Sequence, residues 1–205
     1  MTSAVPFYIS ETDPPAKREI LRAALKLFSE RGLAVTSIRD IAYESGYTNP
    51  ALYKHFASKE ELAQHLFETC HRHFWTCCAA ALNSANDFDG KVEAYIGQCL
   101  ALVDEYPQVF AFLSDSSRVL WPKAGPKVRQ QTMISLALLL VAQAPKPRRA
   151  LRTHHRTLHV DAHVVAASLQ GTIEQLARTI QVGVASGPAT RWKADVVALF
   201  KKAVA

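Results

Sequence analysis

The chain of 205 residues has little of what membrane-spanning, exported or disulfide-built proteins carry. Its longest apolar run, residues 133–142 interrupted by Ser135, is about half the ~20 residues that cross a bilayer, so it reads as a buried helix and no membrane partner is expected. The N-terminus lacks the basic region and long apolar stretch of an export signal, which leaves the cytoplasm as the expected location. Only four cysteines occur, Cys70, Cys77, Cys78 and Cys99, with no C-x-x-C pair, and reduced thiols follow. There is no G-x-S-x-G for a nucleophile, no G-x-x-x-x-G-K for nucleotide phosphates and no H-E-x-x-H for zinc, so neither an enzyme nor a cofactor is implied.

Acids are missing from one stretch. Residues 116–160 contain none, but hold nine Lys or Arg: Arg118, Lys123, Lys127, Arg129, Lys146, Arg148, Arg149, Arg152 and Arg156. The net charge of +6 therefore comes from there, and the rest of the chain carries 15 basic against 18 acidic residues. A basic stretch of this kind reads first as a solvated loop and second as a dock for an anionic ligand or partner.

What is present centres on residues 36–56, TSIRDIAYESGYTNPALYKHF, which read as two short helices joined by a tight turn. Ser37 with Asp40 three residues on makes a capping box for the first helix, because each side chain can satisfy a free backbone N–H. Ile38, Ile41 and Ala42 fall on its inner face, Arg39, Glu44 and Ser45 on its outer one. Gly46 ends it, since the residue after a helix often needs positive φ. Thr48 or Asn49 caps the second helix and Pro50 suits its first turn. Leu52 and Phe56 point inward, leaving Asn49, Ala51, Tyr53, Lys54 and His55 outward. A helix with a small, polar start and a basic, aromatic end suits a DNA groove, where side chains read base edges and bond phosphates. Ser58-Lys59-Glu60-Glu61 opens the next helix with another box and sets Lys59 beside the same surface. The plain alternative is a helical hairpin inside an all-helical core.

The order LFSERG, T-S-I-R-D-I-A, G-Y-T, L-Y-K-H-F and S-K-E-E-L resembles the tetracycline-repressor family of bacterial regulators over about a quarter of the chain. The resemblance implies an all-α fold: a three-helix helix-turn-helix DNA-binding domain, then a helical domain for ligand binding and dimerisation. It also implies repression relieved by a small-molecule effector. It puts Thr36, Arg39, Thr48, Asn49, Tyr53, His55 and Lys59 at or near DNA. The expected organisation is a mobile arm over 1–14, the DNA-binding domain over 15–60 and the second domain over 61–205.

Helical periodicity organises the rest. A first helix spans 15–31, started by Pro15 and stopped by Gly32, with Ile20, Leu21, Ala24, Leu25, Leu27 and Phe28 as its apolar stripe. A long helix over 58–84 carries Leu62, Leu66, Phe67, Cys70, Phe74 and Cys77 inward. After a break at 87–90, helices are predicted over 92–105, 107–113 and 126–143, then 161–185 and 190–204. The candidates for a ligand pocket are Phe67, Phe74, Trp75, Phe110, Phe112, Trp121 and Met133, with plain core packing as the alternative. The helix over 161–185 has a face rich in small residues (Val164, Ser168, Gly171, Leu176, Ile180). Trp192, Val196 and Phe200 give the last helix a bulky stripe, so a four-helix bundle between two chains is expected. Two further regulator readings stay open: a metal or redox sensor using Cys70, His73 and Cys77, and a DNA-binding module without a ligand. His159 and His163 are also spaced for a metal, with a surface pair as the alternative.

Overall fold

A computed structural model describes residues 6–145 and 161–204. Among these, every regular element is helical: α1 Pro15–Arg31, α2 Ile38–Ser45, α3 Asn49–Tyr53, α4 Lys59–Asn83, α5 Phe88–Glu105, α6 Pro107–Leu120, α7 Pro126–Gln130, α8 Met133–Val141, α9 Ala162–Gln181 and α10 Lys193–Val204, with short 3₁₀ turns at Trp121–Lys123 and Ala189–Trp192. The basic run from Lys146 to Arg156, and His159, lie outside the described residues. No described helix is long and apolar enough to cross a membrane.

The residues divide into two compact units. One holds the chain through His73 together with Tyr106–Arg129, the other Phe74–Glu105 together with the chain from Gln130 onward. α4 contributes its first half to one unit and its second half to the other.

In the first unit, α1 packs on α2 and α6 through the stripe its spacing predicts, and Ile20, Leu21, Ala24, Leu25, Leu27 and Phe28 are all buried. Phe28 stacks on Phe112 of α6 at 5.6 Å. α6 runs seven residues beyond the predicted 107–113. The predicted helix ends at Leu113 because the apolar run ends there, with Ser114, Asp115, Ser116 and Ser117 following. Here Ser116 is buried and Leu120 beyond it is anchored in the core, so packing overrides the local preference. Residues 6–13, read from sequence as part of an arm, lie against this unit: Ile9 is buried, and Phe7 stacks on His73 at 3.8 Å.

In the second unit, α5 buries Val92, Tyr95, Ile96, Cys99, Leu102 and Val103, the side chains its period selects, and starts at Phe88 inside the predicted break because Asp87 caps it through the Gly90 N–H. The helix predicted over 126–143 is two helices. Thr132 interrupts it by turning its hydroxyl to the Ser135 N–H at 2.8 Å, which ends α7 and starts α8 as an N-cap does. α8 packs on α9, and α9 and α5 pack on α10. Asp104 on α5 accepts from the Ala189 and Thr190 N–H groups, holding the turn that leads into α10.

Candidate nucleic-acid interface

The surface is set by three caps and a lysine brace. Ser37 Oγ accepts from the Asp40 N–H at 3.2 Å while Asp40 Oδ2 accepts from the Ser37 N–H at 2.8 Å, so the predicted box forms in full. The Ser37 hydroxyl and backbone N–H hold the Asp40 carboxyl below its usual range. Gly46 adopts φ 73°, letting the chain leave α2 and turn at once into α3. Thr48 caps α3 by accepting from the Ala51 N–H. At α4, Ser58 accepts from the Glu61 N–H, but the Glu61 carboxylate reaches the Ala57 N–H, one residue before the position a capping box uses.

α3 has five residues, too short to persist on its own, so tertiary contacts hold it. Leu52 is fully buried and Phe56 nearly so, which turns the other face outward. Tyr53 is 53% exposed, Lys54 is exposed, and Asn49, Ala51 and His55 are half-buried at the same surface. Arg39 is exposed on α2, and Thr48 is exposed at the start of α3.

Two of the residues that resemblance puts at DNA are placed differently. Thr36 is 1% exposed, and its hydroxyl donates to the Gly32 carbonyl at 2.8 Å, so its side chain fastens the α1–α2 loop instead of reaching outward. Lys59 turns its ammonium back to the Leu33 and Thr36 carbonyls at 3.0 and 2.9 Å. It ties α4 to that same loop. Tyr43, which the sequence reading did not single out, lies four residues past Arg39 on the outer side of α2 and is 89% exposed. Its signal was there, an aromatic in register with an arginine. Lys26 on α1 pairs with Glu44 on α2 at 2.6 Å, which helps fix the α2 orientation.

Of the pocket candidates, Phe67, Phe112 and Trp121 meet in the first unit, with Phe67 edge-on to Phe112 at 6.5 Å and to Trp121 at 6.1 Å. Phe110 lies in the same unit, half-buried, while Phe74, Trp75 and Met133 belong to the second. Of the dimer candidates, Val164, Ser168 and Gly171 are exposed on α9, and Leu176 and Ile180 are half-buried. Ser168, Gly171, Thr172, Gln175, Leu176 and Thr179 line an open groove of about 440 Å³ there. Val196 and Phe200 are a correction: both are buried inside their own unit, where α10 packs on α5 and α9. Trp192 is half-buried, with the Arg191 guanidinium 4.1 Å above its ring. α10 exposes Leu199 instead.

The metal reading also falls. Among the described residues no three His, Cys, Asp or Glu side chains are grouped to hold an ion. Cys70 is fully buried, which pushes its thiol well up, and the His73 ring is stacked on Phe7. His163 is exposed beside Asp161.

Three N-terminal helices, the second and third short and joined by a glycine turn, form a helix-turn-helix arrangement with a polar face outward. Residues 20–66 match the family described as "Bacterial regulatory proteins, tetR family". Over 48 residues it is 50% identical to the HTH-type transcriptional repressor KstR2 of Mycobacterium tuberculosis, a stretch covering 23% of this chain and 24% of that protein. The chain thus matches about a quarter of the length of that curated relative. The solved structure of the ketosteroid transcriptional regulator KstR2 of Mycobacterium tuberculosis has the same fold at a TM-score of 0.74 and 18% identity, covering 94% of this chain and 95% of that one. FadR from Bacillus subtilis, solved in complex with stearoyl-CoA, has it at a TM-score of 0.67 and 14% identity, over 91% of this chain and 98% of that one.

Proposed function

We propose that the chain is a cytoplasmic transcriptional regulator, a repressor by kind, that binds a near-palindromic operator as a homodimer and is released by a small-molecule effector. The observation that carries this reading is the α3 surface: Leu52 and Phe56 are committed to the core, so Tyr53, Lys54, Asn49 and the capped N-terminus of α3 are left facing outward beside Arg39. A groove-reading helix needs that division between an anchored and a free side. The DNA-binding domain is residues 15–60, and the remainder serves ligand binding and dimerisation. The exposed small-residue face of α9 supports pairing of two chains, since an ideal Cβ at Gly171 meets nothing within 4 Å of its own chain. The repressor title of KstR2 and the stearoyl-CoA bound to FadR belong to those proteins, and they support a regulator answering to a small molecule here. No catalytic activity is proposed.

The test is selection of bound fragments from random or genomic DNA, followed by affinity measurement on the enriched duplex over a salt series. A two-fold repeated motif, bound by a dimer, is the expected result. Failure of any duplex to enrich at low salt overturns the reading.

A further inference from the structure

On α4, Gln64 and His71 lie seven residues apart, two helical turns on one side of the helix, and each has a buried polar atom without a hydrogen-bond partner: Gln64 Oε1 and His71 Nδ1. Buried polar groups are ordinarily paired, and an exception calls for a physical reason. The Gln64 amide cannot be turned around. Its Nε2 donates to Glu68 Oε1 at 3.0 Å, and a carboxylate only accepts, so the carbonyl oxygen must face the other way. Glu68 is itself held in place by the Gly125 N–H at 2.9 Å. The surroundings of His71 are aromatic. Its ring is edge-on to Trp121 at 4.9 Å and nearly parallel to Phe67 at 6.1 Å, and Phe67 in turn meets Phe112. Burial alone drives the His71 pKa down to about 4, so the ring is neutral near pH 7. Trp121, half-buried on a three-residue 3₁₀ turn, is the most exposed ring of the cluster.

We infer that this part of the first unit takes the effector, and that the effector is a flat, uncharged ring compound bearing a hydroxyl at each end, one donated to Gln64 Oε1 and the other bonded to His71 Nδ1. The two residues lie about 10 Å apart along the helix axis, at 1.5 Å rise per residue. Aromatic walls recognise the ring faces, and the fixed acceptor of Gln64 demands a donor. An anion is refused, because Glu68 is the charge beside Gln64 and the neutral imidazole offers no cation. The inference rests on the reading of the chain as a ligand-released regulator.

Calorimetric titration of the full chain with para,para-biphenol, para-phenylphenol and biphenyl dicarboxylate tests it. Biphenol should bind tightest, and the loss of one hydroxyl or its replacement by carboxylate should each weaken binding by at least about tenfold. Gln64→Leu or the length-matched Gln64→Met should bring biphenol down to the affinity of phenylphenol, and His71→Phe should do the same. His71→Phe should melt no lower than the parent, since it removes an unpaired buried nitrogen, while the Gln64 variants also lose the Nε2 bond to Glu68 and should melt slightly lower. Equal binding of the dicarboxylate, or an unchanged biphenol affinity in Gln64→Met, overturns the inference. So does a chain that binds its selected operator but none of the three probes. A chain that discriminates the probes yet enriches no duplex keeps the site and refutes the regulator instead.

Discussion

Replacing Lys59 and replacing Lys54 should have opposite consequences, although both are lysines at the edge of the same surface. Lys59 Nζ donates to the Leu33 and Thr36 carbonyls at 3.0 and 2.9 Å, closing the loop between α1 and α2 onto the start of α4. Hydrogen bonds to charged groups contribute roughly 1.5–3 kcal/mol each when well buried, and the half-exposed position of Lys59 reduces that, so the pair is worth about 2 kcal/mol. At roughly 2–4 °C per kcal/mol for a chain of this size, Lys59→Ala should lower the melting temperature by about 4–8 °C. Lys54 has no such anchor among its hydrogen bonds and is exposed, so Lys54→Ala should leave the melting temperature in place. It should instead weaken binding to all duplexes and reduce the salt slope by about one phosphate contact. Thermal melting followed by circular dichroism, with fluorescence anisotropy on the selected operator at several salt concentrations, separates the two. If Lys59→Ala melts within about 1 °C of the parent and lowers the salt slope as Lys54→Ala does, the brace is not where its strength lies and Lys59 is a phosphate ligand.

Acid should expose His71. Its pKa is depressed from 6.5 to about 4, so below pH 6.5 the unfolded chain takes up a proton that the folded chain refuses. Stability is then lost as pH falls through that window, by about 3 kcal/mol in all, and His71→Phe should flatten this part of the urea-denaturation profile. Ser37→Ala should cost about 1 kcal/mol by opening the box that starts α2, read as a lowered urea midpoint with unchanged slope. Gly46→Ala meets no neighbour within 4 Å, so its cost comes from φ 73° alone, about 1 kcal/mol, and operator affinity should fall with it as α3 shifts. Val164→Asp, at a residue 54% exposed on α9, should leave the fold intact and convert a dimer to monomer in sedimentation; an unchanged dimer would move the seam elsewhere.

Punctuation was what the sequence displayed most plainly. Pro15 and Gly32 bound α1 at its predicted ends, Ser37, Asp40 and Gly46 bound α2, and Thr48 with Pro50 opens α3, because caps and turns depend on residues within four positions of each other. Buried stripes were equally legible wherever a helix had one long apolar side, as in α1 and α5. Errors came where packing decides, or where a cap sits inside a stretch that reads as one helix. α6 ends with its apolar run at Leu113 until the burial of Ser116 and Leu120 is seen, and Thr132 reads as an ordinary helical residue until its hydroxyl is found capping α8. In the site, the family resemblance puts Thr36 and Lys59 at DNA. Their partners are the carbonyls of Gly32, Leu33 and Thr36, and no side-chain pattern advertises a carbonyl.

Those carbonyl contacts bear on how the surface could read DNA. A five-residue α3 has little helical stability of its own, and the stretch around it is only mildly basic, with eight basic against six acidic residues over 17–61. Bulk attraction cannot then substitute for placement. Placement comes from bonds made to backbone: Thr36 and Lys59 fasten the loop before α2, the Ser37–Asp40 box fixes where α2 begins, Gly46 sets the turn, and Thr48 starts α3. Because most of those groups are spent on the chain itself, the proposed reading surface has few side chains to offer a duplex: Arg39, Thr48, Asn49, Tyr53, Lys54 and His55, with Tyr43 exposed beside them on α2. In the proposed dimer, few contacts held in fixed positions would make affinity sensitive to the geometry between two heads, and an effector that shifts that geometry would need a coupling of only about 1–3 kcal/mol to release the operator.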